Sequence, residues 1–249
     1  MRDSYIMFKR NLTKTMRSPE AMSMALIVPI FMMILFGLVF GGIAEIEGFS
    51  YINFIVPGII LQCICNSSIA TSISVHNDMS KGIIDRFRSM RISKSAFISG
   101  HVWVSVLRSV VITAVVFGAA FVIGFRPTAG VLDWLIVTGI LFLFIVAITW
   151  VTVIIGLIVG DAEAASGASF LMVIFTFVSS GFAPVETMPT ALRIFAEHQP
   201  MTAVIDAVRG LVMGAPVVNE ILIALTWCVG ITVVAFLLAL RIYKNKLTR

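Results

Sequence analysis

An all-helical integral membrane protein with six transmembrane spans is what this sequence predicts, and three features predict it. Only 12% of the 249 residues are charged and 59% are hydrophobic, whereas a soluble domain carries roughly a quarter charged residues. Six stretches reach the about 20 mostly apolar residues that a membrane helix requires. Lysine and arginine collect in blocks between alternate stretches, the pattern of membrane-flanking residues. With a mean hydropathy of +1.04, a soluble fold could not cover its apolar surface, and lipid removes that problem. The length fits a single membrane domain over residues 1–249. The net charge of +5 is spread as short flanking blocks, which argues against nucleic acid as a partner.

The first span runs from Ala21 to Gly42 and follows Ser18-Pro19, an N-cap residue with proline at the first helical position. It is too long for a signal-peptide core and lacks a small-residue cleavage site, so it is expected to be retained. The second span covers Asn53 to Val75, the third Val102 to Gly124 and the fourth Trp134 to Val159. The fifth covers Ala165 to Phe182 and the sixth Ile221 to Leu240. Barrel strands would alternate apolar and polar over about ten residues; these runs are apolar on all sides.

Orientation follows from the basic residues. Arg2, Lys9, Arg10, Lys14 and Arg17 precede span one, Lys81, Arg86, Arg88, Arg91 and Lys94 follow span two, and Arg241, Lys244, Lys246 and Arg249 follow span six. These blocks share one side only if both termini are cytoplasmic. The loop Gly160 to Ala164 dissents, with Asp161, Glu163 and no base, but acidic residues contribute little to the rule.

Several segments are more than spans. Tyr5, Phe8, Leu12 and Met16 recur at helical spacing with Arg10, Lys14 and Arg17 opposite, which predicts an amphipathic interfacial helix meeting anionic headgroups. In Lys81 to Phe97, the apolar stripe Ile83, Ile84, Phe87 and Met90 is ringed by Asp85, Arg86, Arg88 and Arg91. A short helix of this kind either lies on headgroups or docks in a partner's groove. Ser179 to Glu220 is apolar but broken by Pro184, Pro189, Pro200 and Pro216, so it cannot be one straight span. Two short helices, Thr190 to Glu197 and Met201 to Val212, are expected there as a re-entrant or interfacial pair on the outer side.

Span two is the most hydrophilic, with Asn53, Gln62, Asn66, Ser67, Ser68 and Thr71. Such residues face other helices or an aqueous path rather than lipid. Arg108 is the one base inside a span and is expected to snorkel toward the cytoplasmic face. Gly37 with Gly41, and Gly156 with Gly160, have the small-xxx-small spacing of close helix contacts. Cys63, Cys65 and Cys228 lie in apolar runs with neither disulfide nor zinc spacing, and read as small buried apolar residues.

The chemistry of a self-contained enzyme or pump is missing. There is no H-E-x-x-H, no G-x-S-x-G and no phosphate-binding Gly-rich loop. No span carries the paired carboxylates of a proton relay. If this protein moves a solute uphill, its energy comes from another chain.

Three segments, in order, resemble the membrane permeases of type-2 ABC transporters, and within them the daunorubicin-resistance drug-exporter branch. They are FKRNLTKTMRSPEAM with VPIFMMILFGLVFG (Phe8 to Gly41), KGIIDRFRSMRISKSAFISG (Lys81 to Gly100) and SSGFAPVETMPTALRIFAEHQPMTAVIDAVRGLVMG (Ser179 to Gly214). Where the second loop of that family often has proline before its serine, this chain has Ile92-Ser93. The resemblance implies a permease subunit in the plasma membrane of a prokaryote, exporting a drug, antibiotic or lipid-like compound. Lys81 to Arg91 would be the coupling helix, with Ile83, Ile84, Phe87 and Met90 in a groove of a separate ATPase, present in two copies and holding ATP and magnesium. The chain itself would carry no cofactor and hydrolyse nothing. Asp3 to Arg17 would be a connecting helix touching the same ATPase. A second permease copy, identical or related, would face spans two and five across a path lined by Gln62, Asn66, Ser67, Thr71, Phe170, Phe175 and Ser179. Pro184, Pro189, Pro200 and Arg209 would belong to its outer gate. The alternatives are a membrane enzyme acting on lipid through Glu197, His198, Asp206 and Arg209, and a structural subunit of a membrane complex.

Overall fold

The computed structural model describes residues 8–13, 19–40, 45–46, 49–80 and 94–248. Runs that are apolar all round must satisfy their backbone groups within one segment, and helices do so. The described helices are α1 (8–13), α2 (Pro19–Phe40), α3 (Tyr51–Ser80), α4 (Lys94–Ile123), α5 (Val131–Ile158), α6 (Ala162–Phe177), α7 (Thr190–His198), α8 (Pro200–Val212) and α9 (Val218–Thr248). A minimal antiparallel hairpin, β1 (Glu45–Ile46) and β2 (Phe49–Ser50), lies between α2 and α3, with Glu45 opposite Ser50.

Among the described residues, four helices are long and apolar enough to cross a membrane: α3, α4 from Ile98, α5, and α9 as far as Lys246. Two shorter apolar stretches, Ala25–Val39 and Ala162–Phe177, accompany them. The helices run past the apolar stretches that mark them in the sequence. Thus α3 continues beyond Val75 through His76, Asn77 and Asp78 to Ser80, because hydropathy reports immersion in lipid and not where a helix stops.

The fifth apolar run departs from expectation in the other direction. Its helix ends at Phe177 and not at Phe182, because Ser179-Ser180-Gly181 turns the chain out of the helical path. Its 16 residues span about 24 Å, short of the roughly 30 Å hydrocarbon core.

The centre of the bundle is α3, which packs on α2, α4, α5 and α6; α5 in turn carries α8 and α9. Phe54, Ile55, Ile59 and Leu61 of α3, Phe144 of α5 and Ile205 of α8 are fully enclosed in one continuous core. The outward residues are also apolar, among them Leu38, Val122, Leu132 and Leu237, as contact with lipid requires. Gly156 sets how closely α5 approaches α3: a Cβ there would meet the carbonyl oxygen of Ser72 and lie 2.9 Å from Cβ of Val75. Its spacing partner Gly160 faces open space, so only one of the two glycines makes a close contact. Cys63, Cys65 and Cys228 are buried free thiols.

Successive helices α3, α4, α5 and α6 alternate in direction, and α9 runs parallel to α5, so the bundle has two ends. One, the basic end, gathers α1, the close of α3 and α9 and the start of α4. The far end holds the hairpin, α7 and α8.

Candidate functional site

At the far end, the shortness of α6 creates a problem that the following segment solves. The last carbonyls of a helix have no partner within it, and an unsatisfied group away from water is costly. Gln199, between α7 and α8, donates from Nε2 to the carbonyl oxygens of Phe175 (3.2 Å) and Val178. Arg209 of α8 donates to the carbonyl of Ser180, and through Nε to that of Phe54 at 3.2 Å. The hydroxyl of Tyr51 donates to the carbonyl of Phe182 at 3.3 Å. Phe54 lies in the turn of α3 that Pro57 disturbs, since proline offers no N–H and its ring crowds the preceding turn.

Arg209 is the hub. Its guanidinium sits 3.8 Å over the Phe54 ring and 3.0 Å from Asp206, which also accepts from the Ser180 hydroxyl at 2.6 Å. Backbone meets backbone beside it: a Cβ on Gly58 would lie 2.6 Å from both Cα and O of Gly181. The α4–α5 connection is tied in as Thr128 N–H donates to the Val212 carbonyl at 2.9 Å and Arg126 N–H to Asn53 at 3.0 Å. Pro184 and Pro189 precede the 3₁₀ turn Val185–Thr187 and α7, and Pro200 opens α8, positions where a missing N–H costs least.

In the middle of the bundle, the hydroxyls of α3 are paired within the chain. Ser67 meets Ser109 at 2.7 Å, Thr71 donates to Ser105 at 2.7 Å, and Ser105 meets Thr149 at 3.3 Å. On another face, Ser72 donates to the Ala165 carbonyl at 3.1 Å and accepts from Ser169 at 2.8 Å. Arg108 does not snorkel: its guanidinium donates to the Ser67 carbonyl at 2.7 Å and to Thr71 at 2.8 Å. That bond holds it across the α3–α4 seam in place of reaching for headgroups.

The residues proposed from sequence as a path are therefore not gathered on one surface. Ser67 and Thr71 lie inside this seam, and Ser179 is buried and donates to the Thr176 carbonyl. Gln62 is buried with no partner for its Oε1, and Asn66 is half-buried. Phe170 and Phe175 face outward on α6. The four groups considered for lipid chemistry also separate. Glu197 pairs with exposed Arg193 at 2.7 Å, a hydrogen bond that raises the pKa of that guanidinium, and His198 Nδ1 lies 2.9 Å from the Ile194 carbonyl. Asp206 and Arg209 pair with each other and with Ser180, a clamp that Gln199 extends to the end of α6. Among the described residues no cluster of His, Cys, Asp and Glu could hold a metal ion.

At the basic end, Asp78 is buried near the close of α3. Arg10 of α1 reaches its Oδ2 at 3.0 Å, and Nε2 of His101 on α4 lies 3.3 Å from the same oxygen. Phe8 and Leu12 are half-buried and Asn11 is buried. Tyr5, Lys14 and Arg17 of the expected interfacial helix fall outside the described residues. So does the whole coupling stripe: Lys81, Ile83, Ile84, Asp85, Arg86, Phe87, Arg88, Met90 and Arg91. Reading the sequence alone passes over Gln199, Asp78 and His101. The available signal was a carboxylate and an imidazole at the facing ends of two apolar helices.

A family model described as ABC-2 type transporter matches residues 3–213. The chain is 28% identical over 221 residues to the daunorubicin resistance ABC transporter permease protein DrrB1 of Streptomyces coeruleorubidus, covering 88% of this chain and 78% of that one. It is 27% identical over 226 residues to a probable doxorubicin resistance ABC transporter permease protein, DrrC, of Mycobacterium tuberculosis, covering 90% and 82%. A putative transport permease of Cyanophora paradoxa, ycf38, is 24% identical over 219 residues, covering 85% and 74%.

Proposed function

Since the chain belongs to the ABC-2 type transporter family, we propose that it is the transmembrane permease of an ATP-driven exporter of hydrophobic or amphipathic drug-like compounds. The family match across residues 3–213 carries this reading, and the drug-resistance permeases among its relatives support the substrate class. In this reading the protein is one domain of six spans in the plasma membrane, the four long helices being joined by α2 and α6. An even number of spans brings the basic blocks to one side and both termini into the cytoplasm.

A separate ATPase, in two copies with ATP and magnesium, supplies the energy, and a second permease copy completes the path. Residues 81–91 are the coupling helix, and Ile83, Ile84, Phe87 and Met90 its apolar face toward the ATPase; α1 belongs to a connecting helix beside it. Closure of the ATPases biases the paired permeases between two arrangements, so transport is a population shift driven from outside this chain. The clamp of Gln199 and Arg209 on the end of α6 is the outer closure in that cycle, and Gln62 and Asn66 are the polar groups of α3 left for the path.

Two experiments test the reading. Phe87→Glu places a charge on the apolar stripe, and it is expected to cut co-purified ATPase about tenfold, the effect of losing one buried anchor, with membrane insertion intact. An unchanged pull-down removes the coupling role. A single cysteine at Ser93 should react with a membrane-impermeant thiol reagent only after the cell is opened; labelling of intact cells rejects the orientation.

A further inference from the structure

We propose that Asp78 is a positioning residue that ties α1 and both stems of the 81–93 segment into one moving body. The role rests on reading that segment as the ATPase contact. Asp78 stands three positions before Lys81, on the last turn of α3, and His101 lies in the second turn of α4 on the other side of the segment. Arg10 reaches the same carboxylate oxygen from a helix 68 residues away in sequence. The three groups thus come from three elements, of which α3 and α4 bound the segment in the chain.

Helix ends ordinarily fray, so a push on a loop is absorbed within its last turn. Here fraying is opposed. The Asp78 side chain is 3% exposed, and a carboxylate so enclosed depends on the groups packed around it, because withdrawing any of them raises the cost of the buried charge. Displacing the end of α3 from α1 or from α4 therefore incurs that cost, and the three elements move together. Immediately inward, the same α3–α4 face continues through Thr71–Ser105 and Ser67–Ser109, at 2.7 Å each. A displacement at Asp78 is thus handed to hydrogen-bonded turns and not to loosely packed ones. A surface ion pair would do none of this, since exposed pairs are worth little and break freely.

The test uses the full chain with its ATPase in vesicles, with doxorubicin as the probe, and reads doxorubicin moved per ATP hydrolysed. Asp78→Asn should retain the ATPase and its basal hydrolysis while the transport ratio falls about 5- to 10-fold, the range of an ordinary coupling between sites. Asp78→Glu should recover most of the ratio. Arg10→Gln should show a smaller loss of the same kind, and the double variant should be no worse than Asp78→Asn alone, as expected for two groups acting through one contact. Should Asp78→Asn fail to insert, Arg10→Gln decides, because its side chain is 36% exposed and its removal does not open the core. An unchanged ratio in Arg10→Gln, or losses that multiply in the double variant, overturns the role of Asp78 and leaves the exporter reading standing. A wild-type chain that recruits no ATPase or moves no doxorubicin rejects both.

Discussion

Arg209→Leu is expected to lower the stability of the folded protein by about 1–3 kcal/mol, the cost of leaving buried carbonyls without their donor. Leucine keeps much of the volume and the helical propensity of α8, so the loss is one of bonding. Asp206 loses its cation, and the carbonyls of Phe54 and Ser180 lose a donor. Both lie where Arg209 itself is buried, so water does not readily take its place. Arg209→Lys should recover only part of the loss, because an ammonium retains the charge but not the planar fork that serves three acceptors at once. Thermal unfolding of the purified protein in detergent measures both. The exposed Arg193–Glu197 pair is the internal control: Arg193→Leu should leave the melting temperature unchanged.

The second large effect is expected at Gly58. Valine there would bring Cβ to 2.6 Å from the backbone of Gly181, and no rotamer relieves a collision that starts at Cβ. Ordinary overpacking costs about 1–3 kcal/mol because side chains shift to absorb it; with backbone on both sides the cost should lie at or above that range. Gly58→Val should therefore reduce the folded yield in membranes and depress the melting temperature sharply. Gly139→Ala gives the opposite sign. Nothing lies within 4 Å of its Cβ position, so alanine should raise stability by about 0.4–1 kcal/mol through the unfolded chain alone.

These positions also show what a sequence of this kind discloses. Hydropathy identifies the long helices because each must bury about 20 apolar residues in lipid, a requirement met locally. Helix ends obey a different rule. Ser179 and Ser180 read as tolerable polar residues in an apolar run, yet α6 has stopped by then: Gln199 donates to the Phe175 carbonyl at its end, and Arg209 to the Ser180 carbonyl just past it. Such donors are visible only once α8 has packed on α3. Arg108 misled in the same way: its depth suggested a side chain stretching for headgroups, but Ser67 and Thr71 on the neighbouring helix receive it. The family resemblance depended on motif order and needed no tertiary pairing, so it was readable throughout, including in the 81–93 segment that lies outside the described residues. The membership it pointed to is the one the family model gives.

Because Tyr51 and Phe54 sit at the start of α3 while the groups they meet lie beyond residue 179, the 179–214 segment is not a detachable module. A chimera that grafted 179–214 from a relative with a different specificity would strand both aromatic residues against foreign neighbours. Exchanging this region therefore means transplanting two distant stretches of the chain as a pair.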